Sequence, residues 1–130
     1  MRHIVIICIC LCVFACVSND YALEQESVGH VVLIWLKEPG NQQHLERVIE
    51  VTQQLKVIPE IKLLHVGTSI PSDRKIVDDS FDVGIYMTFS NVDDMERYLT
   101  HPKHVDAVKT TLKPLASKIL VYDLSTNLNK

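Results

Sequence analysis

Beyond Cys16 the chain has no cysteine. All four, Cys8, Cys10, Cys12 and Cys16, crowd into the first sixteen residues, so the remainder can build neither a disulfide framework nor a thiolate zinc site. A basic stripe is missing as well. The formal net charge is -3 and the lysines are scattered, which argues against nucleic acid as a partner. No G-x-S-x-G, Walker, Rossmann or H-E-x-x-H pattern occurs, and hydrolase, nucleotide and zinc-protease readings have nothing to rest on. The long apolar run, Ile4 to Ala15, falls short of the roughly 20 residues a spanning helix needs.

That run follows Arg2 in "MRHIVIICICLCVFAC", matching the charged start and short apolar stretch of an export signal. Residues 1–16 are therefore expected to direct export to the cell envelope or beyond. The "VFA" before Cys16 resembles a bacterial lipobox, in which cleavage precedes a cysteine that then carries lipid. Ordinary cleavage after Ala15 or Ser18 is the alternative, since small residues serve both enzymes. Residues 17–27 are polar and without period and read as a tether, and residues 126–130 as a tail.

With 130 residues, 47% of them hydrophobic and 22% charged, the chain supplies one compact domain, placed at residues 28–125. "HVVLIWLK" is β-branched, aromatic and apolar on both faces, as a buried strand is. Asn41 is placed to cap a helix carrying Leu45, Val48, Ile49, Thr52 and Leu55 at helical spacing, and Pro59 ends it. "IKLLHVGT" reads as a second strand and "SIPSDRKIVDDS" as a polar loop. "FDVGIYMTF" alternates, with Phe81, Val83, Ile85, Met87 and Phe89 on one face. Ser90 or Asn91 caps a short helix bearing Val92, Met95 and Leu99. Pro102 opens another with the stripe Val105, Val108, Leu112 and Leu115. "SKILVYDL" is the last strand.

Strand, helix, strand, strand, helix pair, strand is the order of an α+β, ferredoxin-like split βαβ fold: a four-stranded antiparallel sheet with its helices on one face. The second face, with Leu33, Trp35, Tyr86 and Tyr122 as its candidates, then needs cover. A second copy of the chain supplies it most simply.

Together "HVVLIWLK", "VIPEI", "FDVGIYMTF", "YLTHPKHV" and "ILVYDL" resemble the stress-responsive dimeric A/B barrel (Dabb) family from Val28 to about Leu124. The resemblance implies a dimeric α+β barrel with a cleft between helices and sheet for a small molecule. Family members include polyketide cyclases, in which the second histidine of H-P-x-H acts as general base beside a tyrosine and a histidine opening the first strand. Those positions here are His104, Tyr98 and His30. The cyclase pattern is broken at Val83 and Val51, which stand where it carries histidine and tyrosine, removing polar groups from the expected pocket.

Each residue also has a plainer reading. A histidine is the natural proton carrier near neutral pH, yet His104 could instead bind a backbone carbonyl and pin its helix. His30 could be a strand-end histidine paired with backbone, and Tyr98 a packed ring with its hydroxyl at the rim. His101 precedes Pro102 and reads as a helix cap. A metal pair of His101 and His104 would have Asp106 alone as a nearby third ligand, too few for a transition metal. His44 and His65 are given no role. The expectation is an exported homodimer binding a small apolar or aromatic molecule, without metal or cofactor. The alternatives are a cyclase-like lyase or isomerase using His104 as base and a cofactor-free monooxygenase-like barrel, for which no distinctive residue is present.

Overall fold

The computed structural model describes residues 27–126. The expected signal, Cys16 and nearly all of the tether lie outside the described residues. So does the tail beyond Thr126.

The β1 strand (Val28–Leu36) leads through a turn, with Gly40 at φ 79°, to α1 (Gln42–Gln54). That φ lies in the left-handed region that glycine tolerates. Asn41 caps α1 by accepting from His44 N–H, and a short 3₁₀ turn (Leu55–Val57) closes it before Pro59. β2 (Leu63–Thr68), a long loop and β3 (Val83–Phe89) follow. Two helices come next, α2 (Val92–Thr100) and α3 (Pro102–Ala107). A wider π-helical stretch (Val108–Leu112) and a last turn, α4 (Lys113–Leu115), then lead into β4 (Ala116–Ser125).

The sheet order is β2-β3-β1-β4, all neighbours antiparallel, which is the ferredoxin-like arrangement expected of this order of elements. Alternation along β1 sends Val28, His30, Val32, Ile34 and Leu36 under the helices. On β3 it sends Val83, Ile85, Met87 and Phe89 the same way. With Val48, Leu55, Ile58 and Met95 these form one core. The buried Thr52 donates its hydroxyl to Val48 O at 2.8 Å, so its polar atom costs little.

The opposite face carries Leu33, Trp35, Tyr86 and Tyr122, the residues the pattern assigned to it, and Tyr86 and Tyr122 are 41% and 52% exposed. Phe81 is corrected: expected on the face of Val83, it precedes β3 and packs on this open face beside Trp35 and Gly84. A Cβ at Gly84 would meet its ring at 3.0 Å, so glycine there gives Phe81 room.

Two expected stripes are corrected. On α2 the buried residues are Met95 and Tyr98, while Val92 and Leu99 are exposed. After α3 the expected Leu112 is buried and Val108 and Leu115 pack against the core, joined by Ala107 and Thr111, while Val105, in the first turns of α3, is 48% exposed and leaves the stripe. Pro114 has no N–H to give the carbonyl one turn back, and the chain opens into a π turn before it, with Lys113 N–H donating to Val108 O.

Candidate functional site

The "HPKH" stretch is the hinge between α2 and α3. His101 is extended, φ -63° and ψ 133°, ending one helix and starting the next. Its Nδ1 accepts from Lys103 N–H at 3.2 Å, so it is the cap that its position before Pro102 indicated.

His104, one turn into α3, turns back to α2. Its Nδ1 lies 2.9 Å from Leu99 O, one of the carbonyls a helix end leaves without an intrahelical partner. A carbonyl oxygen only accepts, so Nδ1 carries the proton and Nε2 holds the lone pair. The plainer reading of this histidine is present, and pinning the helix through Nδ1 leaves the Nε2 lone pair uncommitted to that bond. Burial moves the His104 pKa below its ordinary value, against the Leu99 carbonyl, which favours the charged form; His30 and His101 lower it further.

His30 is buried on β1 directly opposite Asp123 on β4. Its partner is this side chain, not the backbone: Nδ1 lies 2.6 Å from Asp123 Oδ1. The carboxylate accepts the Nδ1 proton and leaves Nε2 for another group. Between the two histidines stands the Tyr98 ring, 6.0 Å from the His30 centroid and 4.5 Å from that of His104. Phe89 backs it at 5.1 Å. Burial pushes the Tyr98 hydroxyl well above its usual range. It stays a neutral O–H at any working pH, and no described residue hydrogen-bonds it.

All three residues expected of the site therefore line one cleft of about 420 Å³ between the sheet and the helices. Its remaining wall is mostly apolar, with Val32, Ile85, Val108 and Val121 among the contributors. Val51 and Val83 do not line it. Val83 is fully buried in the core, and Val51 borders a separate small groove with Arg47 and Lys103. Neither valine contributes to the cleft wall. Sequence reasoning missed Asp123. The signal was present, since alternation in "ILVYDL" puts Asp123 on the face of Ile119 and Val121. Pairing with β1 was needed to set it against His30.

Among the described residues no three His, Cys, Asp or Glu side chains converge as metal ligands would, and no helix is long and apolar enough to cross a membrane.

The model of the stress-responsive A/B barrel domain (Dabb) matches residues 28–126. The chain belongs to this family. A relative with the same domain, a stress-response A/B barrel domain-containing protein of Arabidopsis thaliana, is 24% identical over 107 residues. The match takes in 82% of this chain and 40% of that protein, so the chain spans well under half the length of this relative. Among solved structures, a Dabb protein with a ferredoxin-like fold from Mesorhizobium loti superposes with a TM-score of 0.64 at 23% identity, covering 77% of this chain and 96% of that one. The hydroxynitrile lyase of Passiflora edulis gives 0.69 at 25% identity, covering 82% and 98%. A dimeric ferredoxin-like protein from Bacteroides fragilis gives 0.61 at 24% identity, covering 75% and 94%.

Proposed function

We propose that this Dabb chain binds a small apolar or aromatic carbonyl compound in its cleft and moves a proton on it, with His104 as general base. The observation that carries this reading is the fixed His104 tautomer: Leu99 O holds Nδ1–H, and Nε2 is left basic and lowered in pKa at the rim of an apolar cavity. Nε2 takes the proton from the carbon next to the carbonyl. Tyr98 O–H, neutral throughout, donates to the oxygen as negative charge develops there. Neutral His30 cannot donate from Nε2, because its proton sits on Nδ1 against Asp123. His104 then returns its proton to carbon or to a leaving oxygen. Aldol-type formation or cleavage of a carbon–carbon bond, or isomerisation, fits these groups, and the hydroxynitrile lyase neighbour supports the lyase form.

The working unit is a homodimer closed through the open sheet face. The exposed Tyr86 and Tyr122, the apolar Leu33 and Trp35 on that face, and the dimeric description of the Bacteroides fragilis neighbour support this. The chain is exported to the cell envelope, its signal cut before a lipidated Cys16 or at a nearby small residue, as "MRHIVIICICLCVFAC" supports. The mass of the mature N-terminus separates those outcomes and an uncleaved anchor.

The activity is tested with a broad panel of carbonyl compounds, measuring binding and turnover for the natural chain and His104→Ala. Turnover by the natural chain alone, with binding retained in both, supports the base. Binding without turnover in either form reduces the protein to a ligand-binding module.

A further inference from the structure

His30, Tyr98 and His104 occupy one end of the cleft. Lys113 lines it too, and the backbone puts Lys113 at the other end. Lys37, just past the end of β1, donates its backbone N–H to Leu115 O at 2.8 Å and its Nζ to Pro114 O at 2.7 Å. This anchors the last helical turn at the far end of the strand that His30 nearly begins. Along the floor, Ile119 pairs with Ile34, Val121 with Val32 and Asp123 with His30. The stretch from Ile119 to Asp123 spans about 13 Å at roughly 3.3 Å per residue.

The π turn helps bring the lysine there. Lys113 N–H reaches back to Val108 O, one residue beyond α-helical spacing, and the widened turn presents Val108, Leu112 and Lys113 to the cleft while Thr111 borders the groove against α1. π turns recur at functional sites. Among the described residues no carboxylate lies within ion-pair distance of Lys113, so its ammonium is open to an incoming anion.

We infer that the cleft takes an amphiphilic carboxylic acid: an apolar body along the β4 floor, a carbonyl at the histidine end, and the carboxylate against Lys113. The carbonyl end rests on the proton-transfer reading above; the carboxylate end rests on Lys113 alone. Lys113 is therefore a specificity-determining residue. Sitting exposed at the rim, it selects for the acid modestly, by up to about fivefold at low salt, and less as salt screens the pair.

The test uses calorimetric titration of the full chain and of Lys113→Met and Lys113→Arg with sodium octanoate and with methyl octanoate. The inference expects the natural chain to bind the acid more tightly than the ester, Lys113→Met to lose that preference while still binding the ester saturably, and Lys113→Arg to keep it. Saturable ester binding also shows that the variant is folded. Equal affinities in the natural chain, a preference surviving in Lys113→Met, or no saturable binding of either compound overturns it. A His104→Gln variant run alongside separates the two readings. If it keeps the acid preference and the turnover of the natural chain, the carboxylate end stands and the proton-transfer reading falls.

Discussion

On β1, Val28, Val32, Ile34 and Leu36 lie sealed under the helices, while Gly29, Val31, Leu33 and Trp35 alternate onto the opposite side and stay half-buried. One strand thus serves a finished core and an unfinished surface. The helices do not seal their own side completely. On the edge strand β4, Ile119 and Val121 face the helices yet are 36% and 44% exposed, because α1 and α2 pack over β2 and β3, away from the β4 edge. Where cover fails on the helix side the protein has a cleft with three chemically competent side chains. On the other side it has a broad aromatic surface. Incomplete burial leaves a concave, mostly apolar cleft with a few polar groups at one place and an extended aromatic surface at the other, the contrast on which the proposed ligand site and the proposed interface rest.

Substitutions on the two faces should therefore fail in different assays. The largest effect belongs to the cleft. His104→Ala should lower turnover by about 10²–10⁴-fold, the usual worth of a general base, with the fold unchanged by circular dichroism. In the sealed core, Phe89→Ala should cost about 3–5 kcal/mol of stability, read by denaturant unfolding; a cost no larger than that of a surface change would break the distinction. On the open face, Tyr86→Asp should weaken the dimer by about 2–4 kcal/mol. Light scattering should then show monomers whose helices and sheet are intact. If the natural chain is itself a monomer at micromolar concentration, the interface account of that face fails. The smallest effect is expected at Asp123, whose side chain is 46% exposed: Asp123→Asn should lower turnover by roughly fivefold, about 1 kcal/mol for a hydrogen bond to a charged partner partly screened by water.

The sealed side was the more legible in the sequence. Period-two alternation from Val83 to Phe89 and the caps at Asn41 and Asn91 are local signals, and local physics realises them, while Phe81, ahead of the strand, turns to the open face. The same alternation identified Leu33, Trp35, Tyr86 and Tyr122 as the open face. Other features escaped. Helical spacing placed Val92, Leu99 and Val105 on the core side, and the structure leaves them exposed. Asp123 is ninety-three residues from His30, and its role follows from strand register, which no local pattern carries. His104 was legible as a candidate. Its tautomer was not, since that depends on the Leu99 carbonyl, which is left open only once the helix breaks at His101 and Pro102.

That tautomer is also the account's most exposed point. Its pKa lies below the ordinary histidine value because burial opposes the charge, so the folded chain holds this proton less tightly than the unfolded chain does. This contribution leaves stability constant above pH 6.5, the unfolded value, and lowers it as the pH falls from there toward the folded value. The acid limb of any His104-dependent turnover should lie in the same window. The direct measurement is a nitrogen-detected NMR titration of the His104 ring. The account predicts a neutral ring protonated at Nδ1 with its midpoint below 6.5. A ring protonated at Nε2, or a midpoint at or above 6.5, would contradict it.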